Sequence, residues 1–468
     1  MKNLLQVTSC IFLYVLFIPF VYTQEADYLI SGQDSFSFTI NMPAIQIIEN
    51  QSRLLSDVAG SAVQVSKHSL EKKRPISVNE LFNTITGVHA LEEDGAGMRM
   101  NLGFRGLDPD RSSRVLILED GIPVALNPYG EPQMYYTPAI DRMESIDILK
   151  GSGQILFGPQ TVGGVINFIT ADPPEELDLS AKLQYGTGAF FSSLISAGNS
   201  YENGGFRVNY LRKEADNIGS SAFSINDFSA KIKLNTGLNS SLGIKYSLYN
   251  ESSNSTYLGL TQALYDLEQF DYEVLTPNDL LQVNRQSISA TYLQKFSLST
   301  HLHSSFYHYS TTRDWQRQDF SYSPVEDAHF IWGENLLEDG LIYMKNSNGH
   351  RNRRFNVTGF ESKIKKWFSV RKLRNKLTAG ARFLVENAHE QRVNGSFYNA
   401  RSGSLKNDEF REGKAFSVFA LNKTEFTDRF SLSFGVRTEY YNFERDIQRI
   451  NYSDTSLISN ESIFEIIP

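Results

Sequence analysis

From Leu177 to the end of the chain, apolar and polar side chains alternate with a period of two over unusually long runs. Leu177, Leu179, Ala181, Leu183 and Tyr185 alternate with Asp178, Ser180, Lys182 and Gln184. Phe228, Ala230, Ile232 and Leu234 alternate with Ser229, Lys231, Lys233 and Asn235, and Leu242, Ile244, Tyr246 and Leu248 with Gly243, Lys245 and Ser247. Successive side chains of a strand point to opposite faces, so each run has one apolar and one polar face. Soluble strands commonly stop at about five or six residues, whereas these reach about nine or more. Short turns (236–240, 297–300) separate them in alternation with long polar loops (251–285, 316–350). Long strands with two unlike faces and two unlike rims predict an antiparallel transmembrane β-barrel, apolar side chains to lipid and polar ones to the lumen. About eleven or twelve such strands follow Leu177.

Composition agrees. Aromatic residues make up 12% of the chain, with 23 Tyr and 32 Phe, and charged residues only 21%. The mean hydropathy of −0.32 excludes a helical membrane bundle but not a barrel, whose strands carry a weaker signal. A net charge of −8 argues against a nucleic-acid partner. At the N-terminus a single Lys precedes the apolar run IFLYVLFIPFVY (11–22) and the polar exit TQEAD, the layout of a secretory signal peptide over residues 1–23. Its apolar core is too short for a spanning helix, which needs about 20 residues. Cys10, the one cysteine, lies before that run, so the mature chain is expected to lack cysteine, as suits a bacterial envelope protein.

Residues 24–50 are polar and lightly patterned, with two short β-like stretches at 36–40 and 44–48 that have no partner nearby. Such a tether suits strand addition to another protein's sheet edge. Residues 51–171 form a different unit. A β-like run, GSAVQV (60–65), precedes a predicted helix that Ser77 and Glu80 open as a capping box. Val78, Leu81, Phe82 and Ile85 supply its apolar face and Gly87 stops it. Between residues 101 and 170, short Val, Ile and Leu runs are cut by dense Gly, Pro and Asp, which marks tight turns. This unit is α+β.

The same stretch carries FRG (104–106), VLILEDGIPV (115–124), Arg142-Met143-Glu144, ILKG (148–151) and FGPQTVGGVINFIT (157–170). In this order the motifs resemble the plug domain of TonB-dependent outer-membrane receptors. RGLDPDRSSR (105–114), NPYGEPQ (127–133) and GPQTVGGVINF (158–168) resemble the ferric citrate and siderophore receptor subgroup, as do TYLGLTQALY (256–265), RNRRFNVTGFE (351–361) and LTAGARFLVENAHE (377–390). The resemblance implies an α+β plug (51–171) folded inside a barrel of about 22 strands, of which residues 172–468 supply about half. A lumen that wide leaks unless filled, and the turn-rich domain is the filler. The resemblance also implies a TonB box in the 24–50 extension. The expected box is Ala44, Ile45, Gln46, Ile47, Ile48, Glu49 and Asn50, which directly precede the plug, with residues 35–40 as the alternative. About 295 residues after the plug hold only half of such a barrel, and Pro468 stands where the family closes on an aromatic residue, so a fragment or truncated product is expected.

The expected function is import of an anionic ferric chelate, ferric citrate or a siderophore, driven through TonB. The iron is cargo, and no cofactor is expected. The plug segment following the DGIPV hairpin resembles the apex that faces the ligand, so Asn127, Tyr129 and Gln133 are candidate ligand groups. Arg313, Arg317, Arg351, Arg353 and Arg354, near the long loops, are candidate hooks, because a guanidinium pairs well with an anion in a partly dry vestibule. Arg105, Arg142, Glu144 and Lys150 in the plug motifs are expected to touch the barrel wall. His301 and His303 share a strand face with His308 opposite, but no carboxylate or thiol nearby completes a metal set. GSGQILFG (151–158) lacks the Lys-Ser/Thr of a phosphate loop, Pro159 and Gln160 standing there instead. No nucleophile and base pattern is visible, so no enzyme is expected. Partners are TonB, the chelate and outer-membrane lipid. Other cargo (cobalamin or an oligosaccharide), a non-functional truncated receptor and a passive porin or adhesin are the alternatives.

Overall fold

A computed structural model describes residues 61–468 except 94–95, 151–154, 159, 219–220, 257, 269–272, 335–339 and 468. The signal segment, both TonB-box candidates and the first residues of the plug lie outside the described residues. The plug begins with β1 (Ser61–Ser66), followed by α1 (Lys67–Lys73) and α2 (Val78–Phe82). Half of the capping box forms: Ser77 Oγ accepts from Glu80 N at 3.1 Å, while Glu80 Oε2 accepts from Ile76 N at 2.9 Å, one residue before the N-cap and not from Ser77 itself. The helix stops at Phe82, earlier than its apolar spacing predicts, and α1 was not legible in its charged sequence KHSLEKK.

Then come β2 (Val88–Ala90), β3 (Leu102–Phe104), β4 (Val115–Glu119), β5 (Ile122–Pro123), β6 (Met143–Lys150) and β7 (Gly164–Thr170). Five of these form a mixed sheet, order β1-β6-β7-β4-β5, in which β4 and β7 run parallel. Both central strands, VLILE and GVINFIT, are buried on both faces, which explains why they read as continuous apolar runs rather than alternating ones. Each fully buried Ile, Leu or Phe there contributes about 1.5–3 kcal/mol.

The second sheet is a single antiparallel meander: β8 (Asp178–Tyr185), β9 (Phe191–Tyr201), β10 (Gly204–Ile218), β11 (Ser221–Gly237), β12 (Ser240–Ser253), β13 (Leu280–Ser297), β14 (Thr300–Ser321), β16 (Ile342–Val370), β17 (Leu373–Gly395), β18 (Ser404–Thr427), β19 (Phe430–Ile450) and β20 (Ser453–Ile467). The short β15 (Ala328–Trp332) pairs onto β16 from the side, and a short helix, α3 (Gln262–Asp266), lies in the β12–β13 loop. The twelve-strand path agrees with the periodic runs, and no described helix is long and apolar enough to cross a membrane. Strands β13, β14 and β16 continue into what reads as polar loop, so the loops are shorter than expected and β16 reaches 29 residues.

The two faces follow the predicted parity. Phe228, Ile232, Tyr246, Ile288, Phe306, Phe360, Phe383 and Phe416 lie on the outer face, whereas Asp227, Lys231 and Lys245 turn inward to the plug. One expectation needs correcting. The inner face is not uniformly polar: near the plug apex Tyr249, Leu281, Val283, Trp315, Phe355 and Ala388 pack against Val124, Leu126, Met134, Tyr135 and Tyr136 in one core. A filled lumen buries its wall, so the wall is apolar where it meets an apolar plug surface.

Candidate functional site

Charge pairs tie plug to wall. Glu119 ends β4 and Asp120 opens the DG turn, where Gly121 adopts a positive φ of 80°. Arg142 Nη1 donates to Glu119 Oε1 at 2.7 Å, and its Nε reaches Asp227 of β11 at 2.8 Å. Lys245 of β12 donates to Glu119 at 2.5 Å and Asp120 at 2.6 Å. Burial alone would raise the Glu119 carboxyl, but the charges of Arg142 and Lys245 hold it well below the usual range. Asp120 is likewise desolvated, yet Lys231 and Lys245 hold it at about 2. Above this cluster Arg99 Nη1 donates to Glu251 of β12 at 2.9 Å. On the opposite wall, Arg382 donates to Phe157 O at 2.8 Å and Arg437 to Ile155 O at 3.2 Å.

Toward the loop rim the plug presents its apex. Asn127 and Glu131 exchange backbone hydrogen bonds of 3.1 and 2.9 Å, closing a tight turn over Pro128, Tyr129 and Gly130. Glu386 of β17 accepts from Tyr129 N at 3.0 Å and Gly130 N at 2.7 Å. A β-carbon on Gly130 would stand 3.0 Å from Glu386 Oε1, so the close approach favours glycine there. The Tyr129 ring stacks on Tyr441 with centroids 5.0 Å apart, and its hydroxyl donates to Glu439 at 2.9 Å. Burial, with Glu439 beside it, pushes that phenol above its ordinary range.

Beside the turn lies an arginine and aromatic cluster. Tyr135 packs edge-on against Trp315 at 6.3 Å. Arg111 lies 4.8 Å and Arg313 4.4 Å from the Tyr135 centroid, and Arg317 lies 4.5 Å from that of Trp315. In the β14–β16 register Arg313 faces Arg353 and Trp315 faces Arg351, so cations stand side by side on the inner wall. Arg353 is neutralised by Glu131 and by Glu390, the latter at 2.9 Å. Arg313 is only 2% exposed, its Nε has no hydrogen-bond partner, and among the described residues no carboxylate lies within ion-pair distance of it. Aromatic faces stabilise a desolvated guanidinium by about 2 kcal/mol, well short of its lost hydration. Within the cluster, Arg353 and Arg111 are paired with carboxylates and Arg313 is not.

The candidates divide accordingly. Arg313, Arg317, Arg351 and Arg353 come together beside the apical turn, whereas Tyr129 turns its ring onto Tyr441 and its hydroxyl to Glu439. Asn127 is buried within the turn, Gln133 is half-buried, and Arg354 lies exposed on the outer face, because β16 alternates and Arg353 takes the inner position. Of the four plug residues expected on the wall, only Arg142 is there. Arg105 donates to Lys150 O at 3.1 Å, Lys150 to Thr86 O at 2.5 Å, and Glu144 pairs with Lys67 at 3.1 Å, all within the plug. His308 bonds Thr358 at 2.8 Å and His301 packs on Trp367 at 5.1 Å, and among the described residues no group of three metal-ligating side chains occurs. Sequence reasoning missed Tyr135, Trp315, Glu131, Glu386 and Arg411. Trp315 and Glu386 share strand parity with inward residues, a signal that was available.

Residues 55–165 match the family described as TonB-dependent Receptor Plug Domain. The fold is similar to the ferric citrate transporter FecA in its unliganded form, with a TM-score of 0.73 and 22% identity over 88% of this chain and 60% of that one. It is also similar to the ferric-catecholate import receptor Fiu of E. coli K12 in an open form, with a TM-score of 0.70 and 14% identity over 91% of this chain and 68% of that one. Among curated relatives, the vitamin B12 transporter BtuB of Vibrio vulnificus is 26% identical over 151 residues, 32% of this chain and 24% of that protein. The chain thus spans well under the full length of the relatives it matches, and at these identities the structural likeness is one of fold.

Proposed function

We propose that the chain, with a TonB-dependent receptor plug at residues 55–165 seated against antiparallel strands, works as an outer-membrane receptor that binds an anionic ferric chelate at the plug apex and imports it with energy delivered through TonB. The observation that carries this reading is Arg313, a buried guanidinium held over Tyr135 and Trp315 without a carboxylate partner. A chelate carboxylate or catecholate would supply the missing anion through charge-assisted hydrogen bonds. Arg317 and Arg351 stand beside it on the same wall and widen the cationic surface. TonB would act on the 44–50 stretch by strand addition and move the plug, after export directed by residues 1–23.

The name of the ferric citrate transporter favours citrate among chelates. The match to a vitamin B12 transporter favours a second cargo, cobalamin, which has no carboxylate for Arg313 to meet. Iron uptake from ferric citrate by cells lacking their own receptors tests the proposal. Uptake is expected with the protein and TonB present, and its loss when residues 44–50 are deleted. Uptake that persists without TonB would instead indicate a passive pore.

A further inference from the structure

Glu131 occupies a position that an anionic cargo would want. Its two carboxylate oxygens are divided between two barrel arginines: Oε1 pairs with Arg353 of β16 and Oε2 with Arg411 of β18, the latter at 3.2 Å. The strand between them contributes Glu390, which touches the same two guanidiniums at 2.9 and 2.8 Å. Arg411 also pairs with Glu409 at 2.5 Å, and Glu409 with Arg445. Three carboxylates and three guanidiniums therefore alternate along the wall and balance in charge. Glu390 and Glu409 belong to the barrel, whereas Glu131 alone comes from the plug. Taking Glu131 away leaves this wall one positive charge in excess and exposes a two-arginine cradle already shaped around a carboxylate.

Resting on the reading of an anionic chelate, we propose that Glu131 is a resident stand-in for a cargo carboxylate, which the arriving chelate displaces from Arg353 and Arg411. Displacement has a built-in consequence. Glu131 closes the apical turn through its backbone bonds to Asn127, and the turn is otherwise held by the Glu386 contacts to Tyr129 N and Gly130 N and by the Tyr129 side chain on Tyr441 and Glu439. Losing the side-chain anchor removes the one ion-paired side chain by which the turn grips the wall and leaves the hydrogen bonds to Glu386 and Glu439, so cargo binding loosens the turn. The same competition raises specificity: a neutral solute cannot dislodge a carboxylate from two guanidiniums, and a weak anion gains little by doing so.

Binding of ferric citrate to the full chain in outer-membrane vesicles, with amide hydrogen exchange at residues 127–131, tests this. Glu131→Gln, which keeps the side-chain shape without the charge, is expected to bind ferric citrate at least about tenfold more tightly than the natural protein. Glu131→Asp, which keeps the charge but shortens its reach, should fall between them. In the natural protein, exchange of the Tyr129 and Gly130 amides should rise on adding ferric citrate, and in Glu131→Gln it should already be raised without it. Equal or weaker binding by Glu131→Gln, or amides indifferent to cargo, overturns the inference while leaving the functional reading intact. If neither protein binds ferric citrate or a ferric catecholate, the functional reading fails and this one with it.

Discussion

Arg142 and Arg313 are both buried guanidiniums, and they differ in what surrounds them. Arg142 meets Glu119, Asp227 and the Tyr136 hydroxyl, so its charge is satisfied within the protein. Arg142→Ala leaves Glu119 and Asp227 beside fewer cations, and breaking such a pair costs about 3–5 kcal/mol. Denaturant unfolding should show a loss of that order. Arg313→Ala removes a cation with no carboxylate to strand, so stability should hold or rise while affinity for ferric citrate falls about tenfold or more, as a binding titration would show. Asp120 adds a pH dependence. Its carboxyl sits at about 2 in the fold, below the ordinary value of about 3.9, so its contribution is complete above about pH 4 and is lost as pH falls toward 2. Acid unfolding of the natural protein should steepen in that window, and Asp120→Asn should flatten it. The sequence motifs named Arg142 correctly but grouped it with Arg105, Glu144 and Lys150, because a motif records identity and not the direction in which a side chain points.

At the scale of elements, β7 shows how tightly the plug is built. Gly164 opens it with φ at 151°, and a β-carbon there would lie 2.4 Å from both Leu149 O and the Phe104 ring. Gly164→Ala must push strand or ring aside, at a cost of about 1–3 kcal/mol, visible as a lower unfolding midpoint. The glycine-rich reading of this region was sound, since these positions need freedom that other residues lack. Strand number and parity were legible in the barrel because a half-lipid, half-lumen strand must alternate. Strand ends were not: above the bilayer β14 and β16 keep their hydrogen-bonded ladder after the apolar face has ended, and polar residues pair as well as apolar ones. The apolar patch inside the lumen was hidden for a related reason. Parity turns Tyr249, Trp315 and Phe355 inward, but that they join the core of another domain depends on the plug surface they meet, which their own strands do not record.

For the molecule as a whole, the pairing of a cork-like domain with barrel strands was legible through the motifs, and the contacts between them were not. Glu386 and Tyr129 lie 257 positions apart, and Arg437 and Ile155 lie 282 apart. Such contacts are specified by the tertiary fold, not by any local pattern. They include carboxylate and guanidinium pairs that hold the plug, and at the apex one buried guanidinium, Arg313, that no described carboxylate meets. The pairs keep the lumen filled. Arg313 is where the proposed cargo anion would bind.

That claim is tested most directly by equilibrium binding of iron-labelled citrate to the full chain in outer-membrane vesicles, run beside Arg313→Ala and with cyanocobalamin as competitor. The account predicts saturable binding that weakens with salt, falls about tenfold or more in Arg313→Ala, and is untouched by cyanocobalamin. Binding unchanged by Arg313→Ala, or displaced by cyanocobalamin, would contradict it.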